Sequence, residues 1–173
     1  MKEIAPGVCF IVLFLLVGIS IAESSNQLLE IPWPASWEYR PPNERGSVVY
    51  LEARQRQGDS TLQEVRISAL SISTATQPVD AKSIHGLAER LRDAVLPTVT
   101  EESIDVLSLS AVGYYFIATD RRHVSGHVGD YRQLVEGVML RSEYLIHFTL
   151  LTNDATDASA KEILRALDQS TIE

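Results

Sequence analysis

Residues 131–151 read YRQLVEGVMLRSEYLIHFTLL. Two apolar-rich runs, 131–140 and 144–151, are joined only by the polar link Arg141-Ser142-Glu143. Runs of that length across so short a connection read as a β-hairpin. Upstream, 113–119 carries Tyr114, Tyr115, Phe116 and Ile117 and reads as a strand, preceded by another at 103–111. Residues 61–72 (TLQEVRISALSI) alternate: Leu62, Val65, Ile67 and Leu70 or Ala69 interleave with Gln63, Arg66, Ser68 and Ser71. A slip of that alternation near Glu64 reads as a bulge. Residues 47–54, β-prone through Val48 and Tyr50, join this strand through the loop Gln57-Gly58-Asp59-Ser60.

The N-terminal part is punctuated by proline. Residues 28–32 form a short first strand stopped by Pro32, and 33–39 is too proline-rich for a helix and too aromatic for a solvated loop. Trp33 and Trp37 are expected to anchor this segment against the sheet edge. Residues 41–46 (PPNERG) read as a turn. Two helices complete the pattern. In the first, Asp80 is the N-cap, Ile84, Leu87, Ala88, Leu91 and Val95 recur on one face, and Pro97 ends it. In the second, Asn153-Asp154 and Thr156-Asp157 supply turn and cap, and Ile163, Leu164 and Leu167 form the stripe. Successive strands with short links predict an α+β fold: an antiparallel β-sheet flanked by helices, an α/β/α sandwich.

The chain divides into a signal peptide at 1–22, a short polar linker at 23–27 and a single α+β domain at 28–173. Residues 8–22 (VCFIVLFLLVGISIA) are apolar throughout, and Ser20-Ile21-Ala22 places small residues at the positions a signal peptidase requires. Cleavage after Ala22 predicts a soluble periplasmic protein. A retained leader is the competing reading and predicts an inner-membrane anchor with a periplasmic domain, since 4–22 carries no charge. Membrane contact is expected only in that case. The only cysteine, Cys9, lies in the leader, which removes disulfides, thiolate nucleophiles and Cys-type zinc sites from the mature chain. A net charge of -8 opposes nucleic-acid binding, which requires a basic face.

The order of strands and helices adds a resemblance. Asp130-Tyr131-Arg132-Gln133-Leu134-Val135-Glu136-Gly137, the strand 145–154 (LIHFTLLTND), the helix start Ala160-Lys161-Glu162-Ile163-Leu164 and the entry Ile31-Pro32 with Trp37 together carry it. On these residues the chain resembles the PsbP-like superfamily, in particular its bacterial periplasmic DcrB-like branch, over nearly the whole mature chain. The resemblance implies an α/β/α sandwich and a non-enzymatic role. Members of that group serve as accessory subunits of photosynthetic oxygen evolution, as a partner of a small GTPase, or as envelope proteins. It supplies no catalytic residue, and no metal-site pattern of the photosynthetic members is present.

The most reactive-looking segment is 120–130 (DRRHVSGHVGD). His123 and His127 stand four apart, with Asp120 and Asp130 near, but Gly126 and Gly129 disfavour the helix that would align the imidazoles. Arg121, Arg122, His123 and His127 are instead read as a local positive patch for a carboxylate or phosphate, strengthening as the histidines protonate. His147 is expected to face solvent from its strand, and Glu101-Glu102 to lie solvated in a polar turn. No GxSxG elbow, SxxK or glycine-rich phosphate loop occurs. The sequence therefore predicts no catalytic site, metal or cofactor, and a non-enzymatic exported accessory module that binds an envelope protein or small ligand. The alternative is a small metal-assisted hydrolase built on the 120–130 loop.

Overall fold

The computed structural model describes residues 29–45, 48–57, 60–72, 79–123, 131–156 and 158–172. The leader, the linker and part of the 120–130 loop, including His127 and Asp130, lie outside the described residues. In chain order the elements are β1 (Leu29–Glu30), β2 (Trp37–Arg45), β3 (Val48–Gln57), β4 (Ser60–Ser71), α1 (Ala81–Val95), a 3-10 turn (Leu96–Thr98), β5 (Leu107–Ser110), β6 (Gly113–Thr119), β7 (Gln133–Arg141), β8 (Tyr144–Thr152), α2 (Ala158–Asp168) and β9 (Thr171–Ile172). A seven-stranded sheet runs β2-β3-β4-β8-β7-β6-β5, and β1 pairs with β9 apart from it. Every pairing is antiparallel.

The hairpin at 131–151 is present: β7 and β8 pair without a break from Gln133↔Thr152 to Arg141↔Tyr144. Gly137 faces Phe148 across this hairpin. A side chain at Gly137 would strike the Phe148 ring and approach the Tyr114 carbonyl oxygen to 2.6 Å, so glycine makes room for the ring. Alternation along each strand then sorts residues onto two faces. On one, Ala53, Val65, Ile67, Val135, Met139, Ile146, Phe148 and Leu150 pack with Ile163 and Leu167 of α2. On the other, Phe116, Ala118 and Val138 pack under Ile84, Leu87, Ala88 and Leu91 of α1. Asp80 caps α1 by accepting from Ser83 N at 2.8 Å, and hydrogen bonds from Ser83 lower its pKa.

The expected α/β/α sandwich is corrected to a sheet-dominated fold. A helix about 10 Å wide covers roughly two strands spaced about 4.8 Å apart. Accordingly α1 packs chiefly on β6 and β7, with Leu145 of β8 at the margin of that cluster, and no described helix is centred over the same face of β2, β3 and β4. Charge covers it instead. Arg54 bridges Glu52 at 2.7 Å and Glu64 at 3.1 Å, Arg66 meets Glu64 at 2.5 Å, and Arg40 meets Glu52 at 3.4 Å. Two of these pairs cross strands, Arg54–Glu64 and Arg40–Glu52, and such pairs of opposite sign hold a face in water without an apolar lid.

Other expectations shift locally. Pro41-Pro42 lie within β2 rather than in a turn, because β2 is an edge strand whose outer amides have no ladder partner to lose. The register slips there, between Arg40 and Asn43. The slip expected near Glu64 falls at Leu62, between the pairs Gln55↔Gln63 and Arg56↔Thr61. Pro97 sits inside the 3-10 turn that continues α1. The strand expected over 103–111 is reduced to Leu107–Ser110. Trp37 is buried in the core and Trp33 packs beside it, stacked with Tyr39 at 6.4 Å between ring centres. The tryptophans anchor the N-terminal segment as expected.

Candidate functional site

Of the residues of the predicted basic patch, Arg121, Arg122 and His123 fall within the described residues. Asp120 Oδ1 accepts from the Arg122 backbone N–H at 2.8 Å and lies 3.8 Å from the Arg122 guanidinium. Asp120 N–H donates to the Arg132 carbonyl and Arg121 N–H to the Thr98 carbonyl. The described part is therefore a pinned turn in which Arg121 and Arg122 are exposed and His123 half-buried. The Arg122 guanidinium itself stays largely in solvent, so this contact is a weak one. His127 and Asp130 are outside the described residues, and among the described residues no three His, Cys, Asp or Glu side chains gather as a metal site.

His147 does not face solvent. It is 6% exposed, and its Nε2 lies 2.8 Å from Oε1 of Glu136, itself 3% exposed. The two side chains share the α1 face where the helix-covered half of the sheet meets the charged half. Strand periodicity identified the face correctly, but the expected solvent there is replaced by neighbouring side chains. Glu64 is also buried, beneath its two arginines. Tyr131 is buried nearby, and burial, then the Glu64 charge, raise its phenol pKa above the usual 10.0. Glu101 is likewise not simply solvated. Burial pushes its pKa up, but hydrogen bonds from the Thr119 backbone N–H at 3.0 Å and the Thr100 hydroxyl outweigh it and leave the carboxyl below its usual value. Glu136, Glu64 and Glu101 each meet a partner from another segment of the chain, and those contacts brace the sheet.

A different arrangement lies at the far edge. β5 ends the sheet and pairs only with β6 among the described strands. Leu107 is 40% exposed on it. Its register slips at Leu109, which turns inward against the α2-side core. Beside this edge α2 forms the second wall of an open groove of about 250 Å³. Leu109, Tyr115 and Leu164 make its apolar lining, while Lys161, Arg165 and Asp168 project from the helix. Asp168 is held by Arg141, whose Nη2 lies 2.8 Å from its Oδ1. Lys161 and Arg165 are exposed and make no ion pair with another described residue. The four-residue spacing puts both cations on one stripe of the helix.

None of these groove residues was singled out from the sequence as a binding residue. Lys161 and Leu164 were visible as part of a helix, but nothing local announced that the helix would stand beside β5. No protein-family model and no curated protein matches the chain. Among solved structures it is similar to the extracellular domain of PknH from Mycobacterium tuberculosis, with a TM-score of 0.41 and 10% identity. The match covers 70% of this chain and 62% of that one, so the chain spans less than two thirds of that domain. Similarity at this level identifies neither a shared architecture nor a shared activity.

Proposed function

We propose that the chain is an exported, non-enzymatic accessory module that binds an extended segment of another envelope protein along the outer edge of β5. The observation that carries this reading is the outer edge of β5, which no other described strand pairs, with the α2 groove beside it. An unpaired edge offers backbone donors and acceptors to an incoming strand, and an adjoining groove takes its alternate side chains. The groove suits side chains of a bound chain better than a free small molecule, because ligand pockets typically enclose about 300–1,000 Å³ and bury most of their ligand. Export rests on the leader: soluble in the periplasm after cleavage at Ala22, or tethered to the inner membrane if the leader is retained. The resemblance to the DcrB-like branch supports an accessory role.

A site-specific photocrosslinker tests this in intact cells. Leu107 on β5 and Tyr39 on β2 are matched probes, both large and exposed at opposite edges. The expected result is one discrete adduct by intact mass from the Leu107 position and none from Tyr39. Equal labelling at both edges, or no adduct at Leu107, overturns the proposal.

A further inference from the structure

We infer that the β5 groove selects an acidic extended segment, one with carboxylates at alternate positions facing Lys161 and Arg165. This rests on the reading of β5 as a capture edge and specifies what that edge takes. In a protein of net charge -8, what distinguishes Lys161 and Arg165 among the exposed cations is that both line the groove beside an edge that no other described strand pairs. Asp168, the acidic group nearest them on the groove wall, is already held by Arg141. Asp154 feels the Lys161 charge from outside the groove, but among the described residues neither Lys161 nor Arg165 forms an ion pair there. Their separation is also suited to a strand. Four helical residues advance about 6 Å along the axis, and side chains two apart in a strand repeat at about 6.6 Å. The two repeats match closely enough for alternate carboxylates of a strand paired with β5 to meet Lys161 and Arg165 in turn. The apolar lining of Leu109, Tyr115 and Leu164 supports the stems of the acidic side chains.

The same charges disfavour a second copy of this chain as occupant. A two-fold pairing of β5 with β5 would bring the cations of one groove toward those of its mate, and like charges oppose such a contact.

The probes are labelled, end-capped peptides of about eight residues, a common strand length, alternating Thr with Glu or Thr with Lys. Fluorescence anisotropy on the full chain should show saturable binding of the Thr–Glu peptide that weakens with added salt. The Thr–Lys peptide should not bind. Lys161→Glu with Arg165→Glu should weaken the Thr–Glu peptide by at least about tenfold, equivalent to about 1.4 kcal/mol. Both positions are exposed, so an unchanged circular dichroism spectrum certifies the fold. Leu107→Lys, which charges the edge without touching either cation, should also weaken binding.

Failures separate cleanly. If both peptides bind alike and both are lost on Leu107→Lys, the edge captures strands and the acidic selection is wrong. If the Thr–Glu peptide is lost on charge reversal but ignores Leu107→Lys, the groove binds anions and the strand-capture reading is wrong. If neither peptide binds, or the free protein sediments as a dimer that Leu107→Lys dissociates, both are overturned.

Discussion

At β2 the outer edge of the sheet carries Glu38, Arg40, Pro41, Pro42, Glu44 and Arg45, and eight of its nine residues are exposed. At β5 the edge carries Leu107, Ser108, Leu109 and Ser110, with neither charge nor proline. Proline and charge are the standard means by which an edge strand is kept from pairing with another chain. The protein applies them at one end of its sheet and not at the other. The faces differ in the same sense. Around β2, β3 and β4 the α1-side face is a self-neutralising ladder of Arg and Glu, whereas around β6 and β7 it is an apolar core under α1. The β2 end is finished against water by proline and charge, whereas β5 carries neither.

The largest expected effect lies at the junction of the two halves. Glu136→Ala leaves His147 buried without its carboxylate, and should destabilise the fold by about 2–4 kcal/mol in urea denaturation. Arg40→Ala, on the exposed rim of the ladder, should cost less than about 1 kcal/mol. Comparable costs would dissolve the distinction between a braced junction and a solvated rim.

A smaller effect should follow pH. Tyr131 has a raised pKa in the fold, so above about pH 10 the unfolded chain releases a phenol proton that the folded chain retains. The associated stability is complete below that pH and is lost as pH rises toward the folded value. Stability of the parent protein should therefore decline on the alkaline side more steeply than that of Tyr131→Phe. Identical alkaline profiles would mean that the ladder and its neighbours do not enclose Tyr131. The smallest effect on folding, and the sharpest on the comparison, is expected from Pro41→Thr with Pro42→Val. The folding free energy should change by less than about 1 kcal/mol, while sedimentation velocity should reveal new self-association through β2. A double variant that stays monomeric would show that charge alone protects that edge.

Much of the scaffold was legible before any coordinates. The hairpin at 131–151, the alternation of β4 and the Asp80 cap are local signals, and each appears where the residues place it. Pro41-Pro42 misled because the same dipeptide suits a turn or an edge strand, and which of these obtains depends on β3 lying on one side only. His147 misled for a related reason. Its strand periodicity gave the correct face, but that face is closed by Glu136 from the adjacent strand and by the core under α1. The candidate basic residues of 120–123 were drawn from sequence proximity, and Asp120 folds back onto Arg122. The groove escaped notice because Leu109, Tyr115 and Leu164 lie on three separate elements.

By itself the sequence determined the two helices and their apolar faces, the antiparallel hairpins, the alternation of β4, and the absence of cysteine beyond Cys9. These follow from periods of two and 3.6 residues, from caps and turns, and from composition, all of which act over a few neighbouring residues. Only the tertiary structure decided that β4 lies beside β8, that β2 and β5 are the edges among the described strands, that His147 is enclosed, and that Lys161 and Arg165 line a groove with β5. Those outcomes depend on pairings between residues far apart in the chain, selected by the burial of the whole core.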